Sequence, residues 1–347
     1  MATAGGRRLP GWWYERRLAP ALWPLLPLSW LFAGLVAVRR RLYRCGLLNT
    51  SCLPVPVVVV GNLTVGGSGK TPLVLWVARQ LRAAGWRPGI ISRGHGGSAR
   101  TVLPVAADSP PSVVGDEPLL LARRSGAPVF VGADRVAAGH ALLAAHPDCD
   151  VIVSDDGLQH YRLRRSLEVV VFDGRGAGNG RLLPAGPLRE PLRRLCEADA
   201  VVWHGGPERR IEQLAAALPQ AAMRLTGERF VAAAGQARCC AAASLRGRRL
   251  HAIAGIGDPR RFFAQLRALD LDFQEHPFPD HHPYCAADLS FAADGVLLMT
   301  EKDAVKCAGL VPGEAWVLPV EAVLSDCPGR PGLLDTILEK LNGRAPA

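Results

Sequence analysis

Residues 55–72 read VPVVVVGNLTVGGSGKTP, and the change from an apolar run to a glycine-rich turn constrains the fold more than any other feature of the chain. The run VPVVVV predicts a buried strand, because unbroken β-branched residues are typical of strands that are covered on both faces. The stretch TPLVLWVARQLRAAG follows and places Leu73, Val77 and Leu81 on one face of a helix. A strand, a turn and a helix in this order predict one unit of a parallel sheet.

The same alternation continues along the chain. Further strands are predicted at residues 87–91, 127–132, 150–157, 167–174 and 199–206. A smaller strand-helix rhythm runs from residue 250 to 320, after an irregular stretch rich in alanine and arginine. The sequence therefore predicts an α/β protein with three parts. They are an N-terminal segment (1–45), a core with a parallel sheet flanked by helices (46–228) and a smaller C-terminal α/β lobe (229–347).

The glycine-rich turn is suited to binding phosphate. Backbone N–H groups of such a turn point toward one place at a helix N-terminus, where the helix dipole favours an anion. The turn resembles the pattern G-x-x-x-x-G-K-[ST], although Thr64 replaces its first glycine. Lys70 is one of only four lysines among 41 basic residues; it would contact the β- and γ-phosphates, and the Thr71 hydroxyl would ligate Mg²⁺. The predicted nucleotide-binding residues are Thr64, Val65, Gly66, Gly67, Ser68, Gly69, Lys70 and Thr71. The alternative is a glycine turn with a structural role alone.

Two adjacent acids, Asp155 and Asp156, follow the apolar run DVIV. Because the carboxyl ends of parallel strands meet at one edge of a sheet, we expect both acids beside the phosphate-binding turn. Two carboxylates after a buried strand are costly without a cation, so we predict that they organise Mg²⁺, with a cap or loop pair as the alternative. Together these features predict a P-loop NTPase-like fold that binds ATP.

The N-terminal segment has the pattern of a membrane anchor. No charged residue occurs from Leu18 to Val38, and arginines flank this stretch. Pro20, Pro24 and Pro27 interrupt its first half, which leaves about eleven helical positions, or about 16 Å, against a hydrocarbon layer of about 30 Å. We therefore expect a membrane-associated helix at the interface, with tryptophans at headgroup depth and arginines on anionic lipid. A spanning helix and a helix packed on the protein itself are the alternatives.

The formal charge of +10 does not indicate a nucleic-acid-binding protein. Residues 1–44 contain eight arginines and one acid, Glu15, whereas the rest of the chain is nearly neutral. Nine cysteines without a metal-binding spacing predict free thiols in a reducing compartment. We expect no nucleic acid and no obligate protein partner.

Seven blocks of the sequence carry a resemblance to a known family. They are GNLTVGGSGKTP (61–72), SRGHGG (92–97), VGDEP (114–118), SDDGLQH (154–160), LLPAGPLREP (182–191), FPDHHPY (278–284) and TEKDAVK (300–306). In order and spacing they resemble the tetraacyldisaccharide 4'-kinases, the lipid A 4'-kinases of the bacterial envelope. The resemblance implies transfer of the γ-phosphoryl group of ATP, with Mg²⁺, to the 4'-hydroxyl of a membrane lipid, an acylated glucosamine disaccharide 1-phosphate. It also implies a location on the cytoplasmic face of the inner membrane, peripheral or with a single N-terminal anchor.

For the chemistry, the resemblance implies that Asp116 accepts the hydroxyl proton with the help of His281, and that Glu117 helps to order the site. An unperturbed aspartate is a weak base for an alcohol, so a histidine that takes up or orients the proton would assist it. His282 is an alternative for this role, since sequence does not say which ring points inward. Asp116 could instead cap the following helix.

Other implied residues surround the phosphates and the sugar. Gln159 and His160 would line the same edge as the acid pair. Arg189 would clamp a phosphate, because arginine matches phosphate with two parallel hydrogen bonds, and Glu190 would support it. The family usually has tyrosine where His95 stands, so we expect this ring near the phosphates or the substrate.

A partner-regulated switch protein of the P-loop class is the alternative function. A GTPase would need the guanine-reading pattern N-K-x-D, which the sequence lacks. A dimeric switch ATPase would carry an extra lysine early in the turn, where Val65 stands. Lys302 and Lys306 are conspicuous because lysine is rare, but the sequence indicates no role for them.

Overall fold

A computed structural model describes residues 9–15, 17–233 and 238–343 of the protein. Arg7, Arg8 and Arg16 of the predicted basic segment lie outside the described residues. The described α-helices are α1 (Leu9–Trp13), α2 (Leu26–Arg44), α3 (Lys70–Ala83), α4 (Pro111–Val114), α5 (Asp116–Ser125), α6 (Arg135–Ala145), α7 (Arg209–Leu214), α8 (Pro259–Ala268), α9 (Glu301–Lys306) and α10 (Leu333–Asn342). Short 3-10 helices lie at Pro20–Leu25, Leu192–Glu197, Ala242–Leu245 and Ala286–Asp294.

The first and larger sheet is mostly parallel. Its strands are β1 (Val57–Gly61), β2 (Pro88–Ser92), β3 (Leu103–Val105), β4 (Val129–Val131), β5 (Val151–Asp155), β6 (Leu167–Asp173), β7 (Ala200–His204), β8 (Gln220–Thr226) and β15 (Glu321–Asp326). They lie in the order β15-β8-β7-β6-β1-β5-β2-β4-β3, and the edge strands β15 and β3 pair antiparallel with their neighbours. Every strand predicted between residues 55 and 206 is present, so the expected parallel sheet is confirmed.

Helices cover both faces of this sheet, as the unbroken apolar strands predict. Along β1, Val58 and Val60 pack in one core cluster with α3 and α10, whereas Val57 and Val59 pack in a second cluster with α6. All four valines are at most 2% exposed. A strand that is buried on both faces cannot alternate polar and apolar residues, which explains the run VPVVVV.

The second sheet is smaller and mixed. Its strands are β9 (Arg229–Ala232), β10 (Cys239–Ala241), β11 (Leu250–Ala254), β12 (Gln274–Pro277), β13 (Val296–Thr300) and β14 (Ala315–Leu318). They lie in the order β10-β9-β14-β13-β11-β12, with β12, β11, β13 and β14 parallel. The α/β class with a smaller second α/β unit is therefore confirmed.

The chain returns to the first sheet at its C-terminal end. After β14, strand β15 pairs antiparallel with β8, and Leu333, Ile337 and Leu341 of α10 enter the core cluster of the α3 face. The C-terminal lobe was expected to include all of residues 229–347. In the sheet topology, however, residues 321–343 pack with the core. The physical reason is that β15 pairs with the edge of β8 and α10 buries apolar side chains on the same face.

Helix α2 is longer than the prolines suggest. Pro20 and Pro24 lie in a 3-10 helix that precedes α2, as the expected interruption predicts, whereas Pro27 lies in the first turn of α2, where the missing N–H of proline is not needed. The helix has 19 residues, a length of about 28 Å at 1.5 Å per residue. By length and composition alone, Pro20–Arg44 could cross a membrane. The uncharged part of α2, residues 26–38, has 13 residues, or about 20 Å, so both an interfacial and a spanning helix stay predictions.

One side of α2 rests on the protein. Ser29 Oγ donates to Leu182 O at 2.8 Å near one end, and Arg40 Nη2 donates to Glu197 Oε1 at 2.6 Å near the other. The helix nevertheless leaves several large apolar side chains exposed, of which Leu35 also lines the cavity described below. They are Leu28, Trp30, Leu31, Leu35 and Val38.

The aromatic residues before α2 divide into two groups. Trp13 Nε1 donates to Pro184 O at 3.0 Å, and Tyr14 Oη donates to Val65 O at 3.3 Å. Trp13 therefore contacts the core and is not at headgroup depth, which corrects the prediction for this tryptophan, and Tyr14 is held in the same way. Trp23 and Trp30, which are 61% and 64% exposed, remain available for that role.

Candidate active site

The phosphate-binding turn leaves β1 at Gly61 and ends where α3 begins at Lys70. Gly66 and Gly69 have φ of 97° and 89°, a region that favours glycine. A Cβ atom on Gly69 would lie 2.6 Å from His204 Nδ1, so a side chain there would also clash. The turn therefore presents its backbone at the N-terminus of a helix of 14 residues, as the sequence predicts.

Asn62 organises this turn and was missed by the sequence reasoning. The residue is fully buried, and its Nδ2 donates to Gly66 O at 3.3 Å. Lys70 Nζ donates to Asn62 Oδ1 at 3.4 Å, so one amide holds both the turn and the lysine. The available signal was an amide directly after a buried strand, where a polar side chain needs partners.

Asp155 is the last residue of β5 and pairs in register with Val60 of β1. It is 1% exposed and accepts a hydrogen bond from Ser92 Oγ at 3.2 Å. Its Oδ1 has no hydrogen-bond partner among the described residues. Burial, followed by the negative charge of Glu117, raises the pKa of Asp155 to about 7.

Asp156 has left-handed backbone geometry, with φ of 49°, which is uncommon outside glycine. Its carboxylate accepts two hydrogen bonds from Arg189 Nη1, at 2.9 and 3.0 Å, and lies 3.7 Å from Lys70 Nζ. Burial alone would raise the pKa of Asp156, but Lys70 and Arg189 outweigh it and lower the pKa. Arg189 is therefore paired with Asp156 in this structure.

The acid pair fits Mg²⁺ by its chemistry. Asp155 Oδ1 is a buried carboxylate oxygen without a described partner, and such a group is stable when it binds a cation. No cluster of three histidine, cysteine or acidic side chains forms a complete metal cage in the described part of the chain. Mg²⁺ suits this arrangement, because it commonly uses one or two carboxylates together with substrate phosphates.

A second cluster faces the acid pair across the cavity. Asp116 is the first residue of α5 and is 5% exposed. Its Oδ1 accepts the backbone N–H of Glu117 at 3.1 Å, and its Oδ2 lies 3.3 Å from His281 Nδ1. One oxygen thus accepts from the next amide and the other faces the histidine, whereas the N-cap of α5 is Gly115, so Asp116 is not the helix cap of the alternative prediction. His281 has φ of 58°, and strained geometry of this kind is common at functional sites.

The charges in this cluster set its protonation. Burial alone would raise the pKa of Asp116, but His281 and Lys302 outweigh it and lower the pKa. Contact with Asp116 raises the pKa of His281 above its usual range, against burial and Lys302, which lower it. His282 does not share this position, because its Nε2 lies 3.0 Å from Asp288 Oδ2.

Lys302 of α9 lies at the centre of these groups. Its Nζ donates to Glu117 Oε1 at 3.0 Å and to Asp280 Oδ1 at 3.1 Å, and it lies 3.2 Å from His281 Nε2. The sequence reasoning noted the rarity of this lysine but found no role. Asp280 was missed altogether, because a loop acid has no signal in the sequence.

One cavity of about 700 Å³ connects the two clusters. The predicted site residues that line it are Val65, Gly66, Gly67, Lys70, His95, Glu117, Asp155, Asp156, Gln159, Arg189, Glu190 and His281. Thr64 and Ser68 are buried, and Gly69 and Thr71 are half-buried. Asp116 lies against His281, so the predicted residues largely converge on one site.

His160 does not fit the expectation. Among the residues of the described chain that line the cavity, Gln159 is present and His160 is not. The His160 ring lies 3.9 Å from Asp134 Oδ1, because its side chain leaves the turn after β5 on the side facing the start of α6. Burial, followed by the positive charge of Arg135, lowers the pKa of His160 to about 4.

Gln159, Glu190 and His95 have identifiable contacts. Gln159 Nε2 donates to Glu190 Oε1 at 2.9 Å, and Tyr161 also bonds Glu190, which is 1% exposed. The His95 ring stands edge-on to His281, with centroids 5.0 Å apart. Glu190 therefore supports the wall, while His95 touches the acceptor side.

The wall near the N-terminus is apolar. Phe32, Leu35 and Val36 of α2 line the cavity together with Leu183, and Arg39 of the same helix adds a charge. A cavity with phosphate-binding groups at one end and an apolar helix at the other suits an amphipathic ligand.

Comparisons with known proteins agree with this geometry. The chain matches the protein family described as Tetraacyldisaccharide-1-P 4'-kinase over residues 21–342. The chain belongs to this family. It is 60% identical over 336 residues to the tetraacyldisaccharide 4'-kinase of Dechloromonas aromatica, covering 96% of each chain. It is 57% identical to the tetraacyldisaccharide 4'-kinase of Azoarcus sp. strain BH72, covering all of both chains.

A solved structure of the tetraacyldisaccharide-1-P 4'-kinase family has the same fold. The crystal structure of the "apo" form of LpxK from Aquifex aeolicus in complex with ATP is 30% identical to this chain, with a TM-score of 0.76. The match covers 92% of this chain and 99% of that one. The resemblance drawn from the seven sequence blocks is thus confirmed, and this member of the family is a kinase.

Proposed function

We propose that this kinase transfers the γ-phosphoryl group of ATP to the 4'-hydroxyl of a tetraacyldisaccharide 1-phosphate in lipid A biosynthesis. The observation that carries the proposal is the single cavity that holds both clusters. Lys70 and the acid pair lie on one side, and His281 and Glu117 lie on the other. A kinase needs both a phosphate site and an acceptor base within reach of one transferring group.

The phosphate side binds the nucleotide. The N–H groups of the turn from Thr64 to Gly69 and the Lys70 ammonium hold the β- and γ-phosphates, where negative charge develops during transfer. Thr71, Asp155 and Asp156 would hold Mg²⁺, which when bound neutralises charge on the phosphate oxygens. Arg189 orients Asp156 through the two hydrogen bonds that the carboxylate accepts.

The acceptor side activates the sugar hydroxyl. Asp116 accepts the proton as the hydroxyl oxygen forms a bond to the γ-phosphorus. The bond between that phosphorus and the bridging oxygen of ADP breaks, and ADP leaves with the electron pair. His281 holds Asp116 in an ionised state, since contact with the ring lowers the pKa of the carboxyl group despite its burial.

The lipid reaches the site beside helix α2. Phe32, Leu35 and Val36 would contact acyl chains, because they form the apolar wall of the cavity. On its other side the helix exposes Trp30 and Leu31, which suits burial of that face in the bilayer interface. ATP is supplied by the cytoplasm, so the protein would lie on the cytoplasmic face of the inner membrane.

A transfer assay tests this function. Purified protein is incubated with γ-labelled ATP and a tetraacyldisaccharide 1-phosphate lipid, and label is measured in both the lipid and free phosphate. We expect label in the lipid, dependent on Mg²⁺. ATP hydrolysis without labelled lipid would favour the switch-protein alternative. Flotation with anionic vesicles tests the membrane proposal, and Trp30→Ser with Leu31→Ser should reduce the bound fraction.

A further inference from the structure

The surroundings of Lys302 determine how its ammonium group is used. Its Nζ lies within 3.2 Å of three acceptors, namely Glu117 Oε1, Asp280 Oδ1 and His281 Nε2. An ammonium group has three N–H donors and no acceptor. Each donor therefore has one partner, and His281 Nε2 can take part only as an acceptor, without a proton of its own.

The other ring nitrogen of His281 faces a carboxylate. Nδ1 lies 3.3 Å from Asp116 Oδ2, and an ionised carboxylate can only accept. A neutral imidazole carries its proton on one nitrogen, and the partner of each nitrogen decides which. With Nε2 accepting from Lys302, the proton belongs on Nδ1, the nitrogen that lies 3.3 Å from Asp116 Oδ2, a buried oxygen without another partner among the described residues.

We propose that Lys302 is a positioning residue that fixes His281 as its Nδ1–H tautomer. This inference rests on the proposed kinase function and deepens it. The sequence left open whether the histidine takes up the proton or orients the acid. In the arrangement around Lys302, Nε2 of His281 accepts from the lysine and Nδ1 faces Asp116, so the ring keeps Asp116 ionised and in place, and the transferred proton stays on the acid.

Lys302 keeps its charge in this position. Its side chain is 14% exposed, and burial alone would lower its pKa, but Glu117 and Asp280 outweigh burial and raise the pKa well above its usual range. A buried ammonium without such partners would be expensive. The two acids thus keep Lys302 charged, and Lys302 donates a hydrogen bond to His281 Nε2.

The charged groups that face His281 come from several elements. They are Asp116 of α5, Lys302 of α9, Asp280 of its own loop and His95 of the loop after β2. Glu117 and Lys306 lie one contact further out, beside Lys302 and Asp303 respectively. Of the two lysines, only Lys302 lies within hydrogen-bond distance of the His281 ring in the described chain, since Lys306 Nζ is 3.5 Å from Asp303 Oδ1. The tautomer assignment therefore depends on Lys302.

NMR of the wild-type protein provides the first test. The full chain is labelled with ¹⁵N-histidine, and the ring signals of His281 are assigned by their loss in His281→Gln. At a pH above the raised pKa of His281, found by following its ring signals through a pH titration, the ring is neutral and we expect Nδ1 to be the protonated nitrogen. An Nε2–H tautomer in the wild type would overturn the proposal, whatever the activity of any variant.

The variant Lys302→Met provides the second test. We expect His281 to lose its single tautomer and kcat for lipid phosphorylation to fall about 100-fold, as a small misplacement of a catalytic group does. The KM for ATP should stay within about twofold, because the phosphate side is untouched. The acid limb of the kcat profile should move to higher pH, since Lys302 is one of the charges that lower the pKa of the base, Asp116, and its removal lets that pKa rise.

Two further variants separate the proposal from a structural role. Lys302→Arg keeps the charge and should retain the Nδ1–H tautomer and part of the lost kcat. Lys340→Met is the control and should leave kcat unchanged. This lysine pairs with Asp199, which precedes β7 at the amino ends of the strands, whereas the site lies at their carboxyl ends. A fall in kcat with an unchanged tautomer in Lys302→Met would refute the proposal. If wild-type protein labels no lipid, the kinase function fails, but the NMR result stands by itself.

Discussion

The two sides of the cavity are built in different ways. The phosphate side comes from one continuous turn, residues 61–70, and from the end of the adjacent strand β5. The acceptor side combines Asp116 of the larger sheet unit with His281 and Lys302 of the smaller one. The first is held by backbone geometry, and the second is held by a network of charges.

This difference has a functional meaning. Glycine geometry and a helix N-terminus form the phosphate site as soon as the β1–α3 unit is folded. The acceptor site forms only when the two sheet units lie together, because its base and its histidine belong to different units. Nucleotide binding and acceptor activation are therefore expected to respond separately to substitution.

The largest effect is expected from Asp116→Asn on the acceptor side. Asparagine has the same shape but cannot take up the hydroxyl proton, so kcat for lipid phosphorylation should fall about 1,000-fold. The Kd for ATP should change less than about twofold, since Asp116 does not line the turn. Transfer kinetics and calorimetric titration with ATP measure the two quantities.

Asp108→Asn is the matched control, because Asp108 is an exposed loop acid in the same unit. Its kcat should equal that of the wild type. A tenfold weaker binding of ATP by Asp116→Asn would contradict the separation of the two sides, and an unchanged kcat would remove Asp116 from the chemistry.

A smaller but broader effect is expected from Lys70→Met on the phosphate side. The variant removes a charge from the phosphates and releases Asn62 and Asp156 from their contact with the ammonium. We expect kcat/KM for ATP to fall about 100-fold and the Kd for ATP to rise as well. If Lys70→Met changes both kcat/KM and the Kd for ATP while Asp116→Asn changes kcat alone, the phosphate side and the acceptor side act separately. Normal ATP affinity in Lys70→Met would mean that the turn binds nucleotide without its lysine.

The same contrast decides what could be predicted from sequence. Lys70, Asp155 and Asp156 were predicted because strand, turn and helix patterns are local and parallel strands end at one edge. The strands up to residue 206 followed from the same reasoning. Asn62 could have been predicted by the same reasoning, since a buried amide after a strand needs hydrogen-bond partners.

The contacts of the acceptor side could not be predicted from the periodicity of the sequence. His281 and Asp116 were named through a family resemblance, and Lys302 received no role, because their meeting depends on how two units dock. The return of β15 and α10 to the first sheet is a similar case. A short amphipathic strand and helix do not reveal which sheet they will cover.

The smallest effect is expected from His95→Tyr, which tests how strictly the acceptor side is built. His95 belongs to the larger unit, and its ring stands edge-on to His281 at a centroid distance of 5.0 Å. A tyrosine keeps an aromatic edge contact and a polar tip, so kcat should stay within about threefold of the wild type. Because His281 would keep its contacts with Asp116 and Lys302, the acid limb of the kcat profile should not move. A large loss of kcat, measured in the same transfer assay, would show that the imidazole of His95 has a role of its own. The acceptor side would then depend on a second histidine as well as on the Asp116, His281 and Lys302 contacts.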